Sequence, residues 1–153
     1  ALSLSKSQGV FNILDPAPCR RLSKSLLQLV DIITPNEFEL AELTGMPVKT
    51  KRNIECAGEK LLQTGVGEVI VTCGERGVCH LSGDGADWFS SPKVKAIDTV
   101  GAGDCFNGSL ASALSSDLGV TEAIRFAVLT SARAVTIRGV QSSFPELKPS
   151  NCY

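Results

Sequence analysis

Val69-Ile70-Val71-Thr72-Cys73-Gly74-Glu75-Arg76-Gly77-Val78-Cys79-His80-Leu81 holds the strongest strand signal in the chain. The first five residues are β-branched or apolar without interruption, and three of the last four are apolar too, after a turn with glycine at both ends. Two such runs about a short glycine-bearing turn predict an antiparallel hairpin. Upstream, Ile54 to Gln63 reads as a helix with Ala57, Leu61 and Leu62 facing inward, and Glu37 to Leu43 as another, stopped by Gly45-Met46-Pro47. Asp31-Ile32-Ile33-Thr34 is a short strand closed by Pro35. Leu22, Leu26, Leu27 and Val30 recur at helical spacing behind Ser23, a potential cap, and Val10 to Leu14 is a buried strand that ends at Asp15-Pro16. The order strand, helix, strand, helix, helix, strand predicts an α/β fold, a largely parallel sheet layered between helices. Downstream come a short strand at Trp88-Phe89 and helices over Asp104 to Leu114 and Thr121 to about Ile137. No repeat or linker interrupts residues 1–153, so one domain is expected.

The composition limits the function classes. The chain has 153 residues, 43% apolar and 20% charged, with a net charge of -1. No basic run supplies the field that nucleic acid or an anionic membrane surface requires. No apolar stretch reaches the roughly 20 residues of a membrane helix, and Ala1 to Gln8 lacks the apolar core of a signal peptide. The six cysteines form no C-x-x-C pair, and the single His80 leaves no zinc spacing. They fall within apolar periodic segments, which predicts free thiols and a reducing, cytoplasmic setting. Asn107-Gly108-Ser109 matches the N-glycosylation pattern, but it falls within a predicted helix.

The chemistry concentrates in Asp98-Thr99-Val100-Gly101-Ala102-Gly103-Asp104. Gly101, Ala102 and Gly103 leave backbone N–H groups uncovered by side chains, and a following helix adds unpaired donors and a positive dipole end. Such a turn suits a phosphate, above all one gaining charge in a transition state. Asp104 at the same place can accept the proton of an attacking alcohol. The plainer reading is a glycine turn with an acidic cap.

The string Asp98-Thr99-Val100-Gly101-Ala102-Gly103-Asp104-Cys105-Phe106 resembles the D-T-x-G-A-G-D-x-F signature of the ribokinase-like (phosphofructokinase-B type) carbohydrate kinases. Asn12 to Pro18 resembles the N-P-A-P strand end of that family, and Thr34-Pro35-Asn36-Glu37-Phe38-Glu39 its T-P-N-E-x-E segment. Thr72 to Gly77 resembles the T-x-G-x-x-G nucleotide turn, and Thr136 to Ser143 the tail that closes a monovalent-cation loop. Within the family the likeness is strongest to the ribose kinases.

The resemblance implies the C-terminal part of a ribokinase-like fold, with the N-terminal sugar-binding half and its lid absent, so that the sheet keeps an uncovered apolar edge. It implies ATP-dependent phosphorylation of a sugar hydroxyl, ribose first, with little activity from this part alone. A nucleoside or another sugar is the alternative acceptor. Another alternative is a non-catalytic piece that pairs with a copy of itself or another chain through the sheet edge.

By the same resemblance, Asp104 is the base, and Gly101, Ala102 and Gly103 form the anion hole. Asn36 and Glu39 lie near the triphosphate and its magnesium ion, and Thr72, Gly74, Gly77 and Gly103 border ATP. Asp98 and Ser143 offer side-chain oxygens to a potassium-like ion, to which Val100, Ala134, Ile137 and Gly139 offer carbonyls. Plainer roles stand beside these: a helix cap for Asn36 and Glu39, a hairpin turn for Gly74 and Gly77, and packing for Cys105 and His80. Val128 departs from the family, which often has asparagine or a small residue there.

Overall fold

The computed structural model describes residues 1–145. Its order is α1 (Leu2–Ser7), β1 (Ile13–Leu14), α2 (Lys24–Leu27), β2 (Ile32–Ile33), α3 (Glu37–Thr44), α4 (Lys51–Leu62), β3 (Glu68–Thr72), β4 (Val78–Ser82), β5 (Gly85–Phe89), α5 (Ala102–Leu114) and α6 (Val120–Ala134). The strands form one five-stranded sheet in the order β1-β2-β3-β4-β5. Pairing is parallel from β1 to β3 and antiparallel between β3 and β4, where Val71 faces Cys79 and Thr72 faces Val78. The mixed sheet flanked by helices follows from the sequence: helical crossovers give parallel pairs, and the glycine turn at 74–77 gives the hairpin.

The chain resolves into two compact units, residues 1–73 with 78–88, and residues 74–77 with 89–153. In the first, Ile33, Leu40, Ile54, Ala57, Leu61, Val69, Val71 and Leu81 form a buried core beneath α3 and α4. Trp88 packs at its margin, where its indole N–H donates to Glu55 (2.9 Å) and the Lys51 ammonium lies 4.3 Å from the ring centre. In the second, α5 packs on α6, with Phe106, Leu110, Ile124, Ala127 and Val128 buried. Val128 is a packing residue here.

Several elements differ from the sequence reading. The strand expected over Val10 to Leu14 shortens to Ile13–Leu14, because Asn12 turns its N–H away from the ladder while its carbonyl stays in it. Its N–H donates to the Asp31 carboxylate (2.8 Å) and its carbonyl accepts from Asp31 and Ile32. Val10 and Phe11 are left 54% and 53% exposed beside β1, which has only β2 as a described neighbour. The serine-rich start forms α1, which the composition did not suggest. Ser5 and Ser7 bond back to Leu2 and Leu4 carbonyls (2.9 and 2.8 Å), and Lys6 pairs with Asp31. Burial pushes the Asp31 carboxyl up, but its bonds from Lys6 and Asn12 and the Lys6 charge outweigh this and hold it below the ordinary range. The last helix stops at Ala134 rather than about Ile137, since Ile137 N–H turns to the Ala134 carbonyl (3.1 Å) in a tighter loop.

Cys19, Cys56, Cys73, Cys79 and Cys105 are free thiols, and Cys152 lies outside the described residues. Burial pushes Cys73 and Cys79 to about 12, so both are inert packing groups at neutral pH. His80 is buried and bonds the Glu68 carboxylate at 2.5 Å. No described helix is long and apolar enough to cross a membrane.

Candidate active site

Asn36, Glu39 and Thr72 come together at one corner of the first unit. Asn36 caps α3: its Oδ1 accepts from Glu39 N–H (2.9 Å), while Glu39 Oε2 accepts from Asn36 N–H (2.8 Å). This reciprocal box satisfies two donors that a helix start would otherwise orphan. It leaves Glu39 only 7% exposed, uncommon for a carboxylate. Thr72 forms an isolated parallel bridge with Asn36 and donates its N–H to the Pro35 carbonyl (3.0 Å). Pro35 thus ends β2 and turns its carbonyl to the end of β3. The cap reading of Asn36 and Glu39 is what the geometry displays, and the box engages only Oε2 of the two Glu39 oxygens.

Gly74 and Gly77 bracket one 3-10 turn, with Gly77 N–H donating to the Gly74 carbonyl at 3.0 Å. Their φ values are +54 and +91, in the left-handed region. A Cβ on Gly77 would meet the Phe89 carbonyl oxygen at 2.0 Å, so the glycine is a steric requirement of the hairpin.

The remaining residues lie in the second unit. Gly101 is the N-cap of α5, with φ +78 and no side-chain cap bond. Cys105 N–H donates to the Gly101 carbonyl (2.9 Å), the first α-type bond of α5. The Gly103 and Asp104 N–H groups precede that bond and have no intrahelical acceptor. Asp104 occupies the third helical position, where its side chain is exposed and adds a negative charge at the positive end of the dipole. Gly103 is exposed too, and a Cβ built on it would meet nothing within 4 Å.

Asp98 ties this turn to the loop after α6. Its Oδ1 accepts from Val100 N–H and its Oδ2 from Gly139 N–H, each at 3.1 Å. The Gly139 and Val100 bonds, ahead of the nearby Arg138 charge, hold its carboxyl below the ordinary range. Ile97 and Asp98 N–H both donate to the Val135 carbonyl (2.7 and 3.2 Å). Ser143 is buried and donates its hydroxyl to the Val140 carbonyl at 2.7 Å. Asp98, Val100, Gly139 and Ser143 are therefore gathered into one bonded loop, with Ala134 and Ile137 at its entry. The Ala134 carbonyl already accepts from Ile137 N–H (3.1 Å). The groups expected to meet a cation are all oxygens, the type a hard cation takes, and both Asp98 oxygens already accept from backbone N–H groups. Among the described residues, no group of three or more His, Cys, Asp or Glu side chains is placed to hold a metal ion.

Two residues that the sequence reading overlooked complete the loop. Val140 Cγ1 lies where a Cβ on Gly101 would come within 2.5 Å, and Phe144 Cε1 within 3.6 Å. No local pattern marks a contact between positions some forty residues apart.

Comparison with known proteins decides the family. The model of the pfkB family of carbohydrate kinases matches residues 1–147. The chain belongs to that family. It is similar to the ribokinase of Haemophilus influenzae, 40% identical over 145 residues that make up 95% of this chain and 47% of that protein. It is also similar to the deoxyribokinase of Salmonella typhi, 39% identical over 154 residues, 100% of this chain and 50% of that protein. The structure of Arabidopsis thaliana ribokinase complexed with ribose and ATP superposes with a TM-score of 0.90 at 32% identity, over 97% of this chain and 48% of that one. The pfkB chain thus spans about half the length of the relatives it matches, and the ribokinase-like layering of sheet and helices is common to them.

Proposed function

We propose that this chain is one partial domain, the nucleotide- and base-bearing part of an enzyme that transfers the γ-phosphoryl group of ATP to a sugar hydroxyl. The observation that carries this reading is the exposed Asp104 at the start of α5, one residue after Gly103, where free N–H groups and a carboxylate share one helix end. Asp104 takes the proton of the acceptor hydroxyl, while the N–H groups of Gly103 and its neighbours in the 101–104 turn steady charge on the transferred group. Glu39 and Asn36 hold magnesium-bound phosphates beyond their capping duty, and Thr72, Gly74 and Gly77 border the nucleotide. Asp98, Ser143 and the carbonyls of Val100, Ala134, Ile137 and Gly139 take a potassium-like ion that orders the turn. ATP supplies the phosphoryl group. Ribose is the first candidate acceptor, with deoxyribose beside it, since a ribokinase and a deoxyribokinase are matched with nearly equal identity. The free thiols support a reducing compartment such as the cytoplasm.

The test joins this chain to the half of the Haemophilus influenzae ribokinase that it does not match, and compares Asp104 with Asp104→Asn. Ribose-dependent ADP release should fall at least about a hundredfold, as expected for loss of a general base, with ATP affinity within about twofold. Turnover that survives the substitution removes Asp104 from the base role.

The exposed Val10 and Phe11 beside the β1 edge favour a second reading, association of the isolated chain with another copy through that edge. Sedimentation at rising concentration should show dimers that Phe11→Lys abolishes. A monomer at every concentration ends this reading.

A further inference from the structure

We infer that Val140 is a positioning residue for the anion-binding turn, a strut through which the 139–143 loop fixes the conformation of Gly101. The inference rests on reading residues 101–104 as an anion hole.

Gly101 is where that turn is decided. It sits at φ +78, and a glycine has the freedom to leave that basin unless something holds it. The backbone before it is held by Val100 N–H on Asp98 Oδ1 (3.1 Å), and the turn is closed by a long bond from Ala102 N–H to the Thr99 carbonyl (3.3 Å). Neither bond fills the side of Gly101 that lacks a Cβ. Val140 Cγ1 fills it, 2.5 Å from where that Cβ would stand.

Val140 is itself fixed at both ends. Gly139 N–H, one residue before, donates to Asp98 Oδ2 (3.1 Å), so one carboxylate grips the residue preceding each partner in the contact. The Val140 carbonyl accepts from the Ser143 hydroxyl (2.7 Å) and the Ser143 N–H (3.2 Å). Gly139 has φ +103, and a Cβ there would meet Ser142 Oγ at 2.5 Å. A β-branched side chain adds little slack of its own, because χ1 is restricted. Yet Val140 remains 36% exposed, so core packing does not account for a rigid apolar residue there. The contact with Gly101 does. The oxygens expected to surround a cation, on Asp98, Gly139 and Ser143, belong to the residues that hold Val140. Order in that loop therefore reaches the turn through this side chain.

The experiment uses the whole chain, labelled with ¹⁵N, and inorganic phosphate as the probe. In the wild type, the Gly103 and Asp104 amide signals should shift on titration. In Val140→Ala, the apparent affinity should weaken about fivefold, the scale of one lost preorganising contact. Val140→Thr keeps the branched shape and should restore it. Unfolding temperatures of all three should agree within a few degrees, as is usual at a half-exposed site. Phosphate affinity of Val140→Ala equal to the wild type overturns the inference and leaves the anion hole standing. A loss shared by Val140→Thr and matched by a large fall in unfolding temperature also overturns it, because Val140 is then a packing residue. Wild-type amides that do not respond to phosphate overturn the anion hole itself.

Discussion

The Asn36 corner and the Asp104 corner both start a helix, and their candidate residues are spent differently. At α3, Asn36 Oδ1, Glu39 Oε2 and the Thr72 N–H all have partners that hold the fold together. At α5, the cap is a glycine without a side chain, the next glycine meets nothing, and Asp104 is exposed. Where a structural duty already explains a residue, its presence says little about chemistry. Where no bond or packing contact does, as at Gly103, the residue points outward, to a group that approaches from solution, and at Asp104 only its charge at the helix dipole competes with that reading. Under the proposed function, the first corner would work beneath a stability role and the second from residues that hold nothing else together.

The largest effect that separates the corners is expected at Asn36. Asn36→Ala removes the acceptor for Glu39 N–H and frees half of the capping box, which should cost about 1 kcal/mol, within a range of roughly 0.5–2. Urea or thermal unfolding reads it. A loss below a few tenths of a kcal/mol would mean that the box is not what holds α3, and the contrast between the corners would break.

The same contrast explains how much was legible in sequence. The hairpin at 69–81, the caps at Ser23 and Asn36, and the Gly45 stop rest on bonds within a few residues, so local pattern reaches them. Gly45 does adopt the left-handed conformation (φ +67) that the stop requires. The length of β1 was not legible, because Asn12 is drawn into bonds with Asp31, nineteen residues on. Nor was α1, which is tied to the fold by Lys6 meeting Asp31, by Ser5 Oγ donating to Asn12 Oδ1 (2.5 Å) and by Leu2 packing against the core. In the candidate site, the residue types at 98–104 pointed to the chemistry proposed for them, while the grip of Asp98 on Gly139 and of Val140 on Gly101 is tertiary and leaves no spacing to read.

A smaller effect, opposite in sign, is expected at Gly103. It lies in the first turn of α5 with no left-handed φ and no neighbour within 4 Å of a built Cβ. Alanine fits there without strain and loses less backbone entropy on folding, so Gly103→Ala should stabilise the chain by about 0.4–1 kcal/mol. The added methyl stands beside the Gly103 N–H that an approaching phosphate would use, so the Asp104 amide response to phosphate should weaken as stability rises. A protein that is both more stable and a poorer anion binder is the signature of a residue kept for its ligand. If Gly103→Ala instead unfolds more easily, the position has a structural duty after all, and the two corners are spent alike.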